Sequence, residues 1–216
     1  MIEAHVVTAS NIHLYEAEFD EFLQRRHDVF VHAKGWRPPS PDGRERDEFD
    51  TSDATYILGL EDGRVVTSAR LIPTHLPHLV SEVFPQLCER NGVPRRPDWA
   101  EWTRTFVLQR ERHLGLRGTF TQLCCAVMEF AVEEGLSAVG GVQETYAMPR
   151  LGRFGWKLLP QGLAREMNGE TYIVCYIEAG EEALASVRRV LGIDRPLLVR
   201  RGAQQPFVPA RPEVLA

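Results

Sequence analysis

Lysine is nearly missing from this chain: of 25 lysine and arginine residues, only Lys34 and Lys157 are lysine. Its basic chemistry therefore rests on guanidinium forks, which suit carboxylates and phosphates, not on ammonium point charges. Long apolar runs are also missing. No stretch approaches the roughly 20 residues of a membrane-spanning helix, and MIEAHVVTAS has neither the basic nor the apolar region of a secretion signal. The expectation is a cytoplasmic protein with no membrane partner. Positive charge is not in surplus: a formal net charge of −5 and a pI near 5.8 argue against sequence-independent nucleic-acid binding. Cysteine is scarce. Cys88, Cys124, Cys125 and Cys175 form no CxxC and hold no zinc-like spacing with histidine, so they read as core thiols and no metal is expected.

What is present is 216 residues, 44% of them hydrophobic, enough for one sizeable core. Residues 1–200 read as a single domain, and 201–216, which lack periodicity, as a loosely ordered tail. IEAHVVT is strand-like. Leu14, Phe19, Phe22, Leu23, Val29 and Phe30 form the apolar stripe of a helix over 15–33, stopped by Gly35 and Pro38–Pro39. TYILGLE and RVVTSARLI flank Asp62–Gly63, a hairpin signature. Further strands are EWTRTFVL, LSAVGGVQE and TYIVCYIEA; further helices lie near 79–89, at 119–134 and at 181–192. This order predicts an α/β domain: a three-layer α/β/α sandwich on a mixed, V-shaped sheet, in the manner of N-acetyltransferase-like (GNAT-like) folds.

Between the first helix and the hairpin runs a long charged loop, 35–53, containing GRERDEFD. Loops of that length inside a compact domain are usually functional or mobile. Arg70 lies within an apolar strand, and a lone buried guanidinium costs several kcal/mol. It therefore needs a carboxylate, and Glu45, Asp47 and Asp50 are the suppliers; the alternative is that Arg70 faces solvent. Glu101 and Arg104 are three apart, so an unbroken strand would send them to opposite faces. Sharing one site requires a bulge between them.

Arg26, Phe30 and Trp36, the acidic ERDEFD, Arg70 in ARLIPT, SEVFPQL, and Glu101 and Arg104 in WAEWTRTFV stand in the order and spacing of one family. Over roughly residues 1–180 the chain resembles the acyl-homoserine-lactone synthases, the autoinducer synthases. The resemblance implies a GNAT-like fold and acylation of the amine of S-adenosylmethionine by an acyl thioester. Closure to the lactone then releases methylthioadenosine. It implies two substrates and no cofactor. Arg26, Phe30, Trp36, Asp47, Asp50 and Arg70 would bind S-adenosylmethionine. Arg104 would assist catalysis. Glu101 would be the general base, with Glu45 as second choice.

On the acyl side the resemblance points to Trp102, Phe106, Met128, Val142, Thr145 and Met148 as pocket walls, with ordinary core as the competing reading for most. Thr145 either bonds a 3-oxo group or caps a helix beginning at Tyr146. Arg110, Arg112 and Arg117, ahead of a helix start at Thr119, suit coenzyme A phosphates or an acidic acyl carrier protein. Trp102 beside Glu101 is similar to the subgroup that uses branched or aromatic acyl-CoA, so acyl-CoA is the favoured donor. Two other functions fit the same fold: an N-acyltransferase acting on another amine, which does not need the acidic loop, and a non-catalytic acyl-ligand sensor.

Overall fold

Alternating side chains set two buried faces on one sheet. In the computed structural model, residues 1–108 and 115–208 are described. The strands are β1 (Glu3–Val7), β2 (Thr55–Glu61), β3 (Arg64–Pro73), β4 (Trp99–Val107), β5 (Ala138–Glu144), β6 (Leu158–Pro160), β7 (Arg165–Met167), β8 (Glu170–Glu178) and β9 (Leu198–Arg200). They join in the order β6-β8-β5-β4-β3-β2-β1-β9, with β7 also on β8. The helices are α1 (Glu16–Arg26), α2 (Leu79–Glu82), α3 (Thr119–Glu133), α4 (Met148–Gly152) and α5 (Glu181–Leu191).

Ala69 and Leu71 of β3 and Ala100 of β4 face a core built on α3 and α5. Ile72 of β3 and Phe106 of β4 face α1 through Phe19, Phe22 and Leu23. β2 and β3 are buried along almost their whole length on both faces, and the predicted three layers result. The β2–β3 turn places Asp62 and Gly63 at φ 50° and 74°, the paired left-handed residues of a tight hairpin.

Two features position the site. β4 and β5 are parallel and pair only from Trp99↔Ala138 to Glu101↔Gly140, then part, giving the sheet its V. And β4 bulges against β3: Arg70 pairs with Thr103, but Ser68 pairs with Phe106, leaving an extra residue on β4. Arg104 sits there at φ 52°. The bulge exists, but it falls at Arg104 itself, after a ladder that stays regular from Ala100 through Thr103.

The predicted first helix is two helices in series. After Arg26 the backbone widens into a π-helical stretch, His27–Ala33, in which Lys34 N–H bonds the Val29 carbonyl five residues back. The tail differs from expectation as far as 208. β9 lies parallel to β1, Asn11 and Gln204 side chains tie the following residues to the body, and Phe207 is buried against Phe130 with its N–H on the carboxylate of Glu134, just past α3. Three-residue strands carry too little pattern to be seen in a sequence. All four cysteines are buried and free, and burial pushes the thiols of Cys88 and Cys175 up to about 11 and that of Cys125 up to about 12.

Candidate active site

The acidic loop turns inward. Arg26, on the last turn of α1, donates from Nε to Glu45 at 2.5 Å and from Nη1 and Nη2 to the two oxygens of Asp50 at 2.7 and 2.8 Å. Arg70, from the centre of β3, forks onto Asp47 at 2.5 and 3.1 Å and reaches Asp50 at 2.9 Å. Arg104 Nη2 bonds Glu45 at 3.1 Å and also Asp47. Arg104 and Thr103 can both meet Arg70's neighbourhood only because the bulge breaks the alternation: Thr103 Oγ1 accepts Arg70 Nε at 3.2 Å. Three guanidiniums and three carboxylates thus close a charge-matched cluster whose side chains are at most 8% exposed. Tyr56 Oη–H adds a bond to Asp50 at 2.9 Å.

Burial alone would raise the Asp50 pKa, but the hydrogen bonds and charge of Arg26, with the charge of Arg70, hold it well below the usual carboxylate range. Burial works against the Arg26 charge, and Asp50 and Glu45 more than restore it. Arg104 goes the other way: its burial outweighs its acidic neighbours, its pKa is lowered, and its Nε has no partner among the described residues. It is the member at the edge of the cluster, with its guanidinium 5.3 Å from the Phe30 ring centroid.

Glu101 is fully buried at the point where β4 and β5 part. Its two oxygens accept the N–H groups of Leu79 at 2.9 Å and Val80 at 2.7 Å, which open α2. Burial raises its pKa; those N–H bonds and Arg70 oppose, and the balance is about 7. A carboxylate poised near neutrality can give or take a proton at working pH. The bare backbone beside it belongs to β5: a Cβ on Gly141 would lie 3.3 Å from Glu101 Cγ.

Phe30 and Trp36 stack at 5.5 Å with planes 15° apart, brought together by the wide π-helical turn. Trp36 remains 46% exposed. Lys34 Nζ sits 4.8 Å from the Trp36 ring and bonds Glu144, at the end of β5, at 2.6 Å. This contact carries the start of the loop across to the far arm of the V. The sequence reading missed it, and missed Tyr56 and Thr103; Thr103 lies inside the quoted EWTR, and its strand pairing with Arg70 was its only signal.

The expected acyl walls are not brought to one place. Trp102, Met128 and Met148 belong to the α3–α5 side of the sheet. Phe106 lies past the bulge on the opposite side, stacked 6.5 Å from Phe22 beneath α1. Val142 packs in a third cluster with Val80, Val174 and Tyr176. Thr145 opens a 3-10 turn, Thr145–Ala147, and no side chain caps it, so the capping alternative is not used. Arg110 and Arg112 lie outside the described residues; Arg117 is exposed, one residue before the Gly118 that precedes α3. Among the described residues one group offers metal-type ligands, His27, Asp28 and His32, whose ligand atoms lie within 4.8 Å of one another. His27 Nε2, however, accepts the Ser40 N–H at 3.3 Å, which occupies its free lone pair.

The family model for autoinducer synthases matches residues 10–187. An isovaleryl-homoserine lactone synthase of Bradyrhizobium diazoefficiens is 41% identical over 160 residues, 74% of this chain and 72% of its own. Among solved structures, the CoA-dependent acyl-homoserine lactone synthase BjaI, with S-adenosylmethionine and isopentyl-CoA, superposes with a TM-score of 0.90 at 33% identity over 96% of this chain and 97% of its own. An acyl-CoA N-acyltransferase from Pseudomonas aeruginosa, 17% identical with a TM-score of 0.56 over 82% of this chain and 99% of its own, shares the fold alone. The GNAT-like architecture expected from the element order is therefore the architecture of the chain.

Proposed function

The chain belongs to the autoinducer synthase family, and from that premise we propose that it makes an N-acyl-homoserine lactone from S-adenosylmethionine and a short, branched acyl-CoA. The observation that carries the catalytic reading is Glu101, a buried carboxylate with a pKa near 7 at the mouth of the β4–β5 parting. The acceptor amine must lose a proton before it can attack, and Glu101, directly or through water, takes it. The amine nitrogen then bonds the thioester carbon, the carbon–sulfur bond breaks, and the departing thiolate takes up a proton. In the second stage the substrate carboxylate oxygen attacks the carbon bearing the sulfonium. That carbon–sulfur bond breaks, giving the lactone and neutral methylthioadenosine, with proximity supplying most of the assistance.

The charge-matched cluster suits a framework for the acceptor. Glu45, Asp47 and Asp50 spend their bonds on arginines, so in this reading they fix Arg104 and Arg70 in place, and Arg104, at the edge, meets the substrate carboxylate. Phe30 and Trp36 offer stacked aromatic faces to the adenine and the sulfonium. The CoA donor and the branched chain are supported by the relatives' substrates: isovaleryl in one name, isopentyl-CoA in the other. Acyl carrier protein is the donor this reading sets aside.

Incubation with S-adenosylmethionine and a panel of straight, branched and aromatic acyl-CoA thioesters tests the whole. The expected result is one free thiol and one methylthioadenosine per lactone, fastest with isovaleryl-CoA. Thiol release without methylthioadenosine would assign the chain to the acylation of some other amine.

A further inference from the structure

Six buried side-chain nitrogen or oxygen atoms find no hydrogen-bond partner among the described residues. Four of them belong to His78, Trp102, Arg104 and Tyr176, all in or beside the elements that hold Glu101. Tyr176 is the one without an evident structural purpose. It is fully buried, its hydroxyl makes no bond among the described residues, and Glu101 and the Cys88 thiol are the titratable neighbours that act on it. Leaving such a group unsatisfied costs about 1–3 kcal/mol, and buried water is the usual remedy.

Strand register places this hydroxyl. Gly140 of β5 pairs with Glu101 of β4 on one side and with Tyr176 of β8 on the other. Laterally paired residues project to the same face, so Glu101 and Tyr176 share a face with a residue lacking a side chain between them. A Cβ on Gly140 would fall 2.4 Å from the Tyr176 Cα, so only glycine lets β8 approach this closely. We propose that the Tyr176 hydroxyl, through a bridging water, donates to the Glu101 carboxylate and keeps it ionised and oriented to take the proton of the acceptor amine. Tyr176 is thus a positioning residue, and this role rests on the reading of Glu101 as the base.

The other groups facing Glu101 are accounted for. α2 contributes the Leu79 and Val80 N–H bonds, β3 contributes the Arg70 charge, and the acidic loop contributes Asp47, which opposes ionisation. Burial raises the Tyr176 phenol well above its ordinary value, so it stays a neutral donor throughout the working range.

The experiment is the pH dependence of kcat/KM for the wild type, Tyr176→Phe and Glu101→Gln. A base must be ionised, so activity should fall below about pH 7 in the wild type, and that limb should vanish in Glu101→Gln. Removing a donor raises the carboxyl pKa. Tyr176→Phe should therefore move the limb upward by about half to one unit, roughly a 3–10-fold loss at pH 6.5, with unchanged melting temperature. A limb unmoved in Tyr176→Phe but abolished in Glu101→Gln overturns the Tyr176 role alone. A limb that survives in Glu101→Gln overturns the base itself. Should Tyr176→Phe fail to fold, 3-fluorotyrosine at position 176, a more acidic and stronger donor, should move the limb downward; a stationary limb there also overturns the proposal.

Discussion

On the α1 side of the sheet, three guanidiniums, one each from α1, β3 and β4, meet three carboxylates of the acidic loop in fixed, directional bonds. On the α3 side, Trp102, Met128 and Met148 meet apolar neighbours, and the Trp102 indole N–H finds no acceptor among the described residues. The first region is held by charge and has one arrangement. The second is held by volume, and volume tolerates exchange.

The division breaks most severely at Arg70. Arg70→Met should cost about 3–5 kcal/mol, because it leaves Asp47 and Asp50 buried and short of a partner; thermal melts would measure it, and a loss below 1 kcal/mol would mean the cluster is not a framework. The same melts have a pH signature. The folded Asp50 pKa is depressed, so its contribution is complete above the unfolded value of about 3.9 and is lost as the pH falls through and below it. Glu101→Gln comes next, with kcat lowered about 10²-fold or more and little change in KM. Equal loss in binding alone would make it a helix anchor and nothing else. Trp102→Leu should leave S-adenosylmethionine turnover possible but narrow the preference for branched over straight acyl-CoA by about 10-fold, the scale of a reshaped apolar pocket; an unchanged ratio removes Trp102 from the pocket. The smallest effect is expected at Glu144→Gln, which weakens a part-exposed ion pair with Lys34. A two- to threefold rise in the S-adenosylmethionine KM, read by initial rates, would tie that contact to the placement of Trp36, on the scale of a half-exposed pair.

Much of the charged region was legible beforehand, for a physical reason. A buried charge demands a partner, so Arg70 in an apolar strand pointed to the acidic loop, and Glu101 with Arg104 demanded a bulge. What the sequence did not carry was where the bulge would fall: Arg104 adopts the left-handed conformation itself, a choice set by the β3 register. The apolar side was far less legible. Phe106 looked like a neighbour of Trp102, yet the bulge turns it to the other face. Tyr176 drew no attention because its strand reads as ordinary core, and only lateral pairing through Gly140 brings it to Glu101. The anchors of the 201–208 segment are single hydrogen bonds that involve a side chain, which leave no periodic trace in a sequence.

The wide coil from His27 to Ala33 also has an evolutionary consequence. Removing any one residue there would tighten it into an ordinary α-helix and rotate everything beyond by about 100°. Phe30 would no longer lie over Trp36, and Lys34 would swing away from Glu144. Indels should therefore be tolerated among the exposed residues that follow, such as Pro38 and Pro39, and selected against within this single turn and a half of backbone.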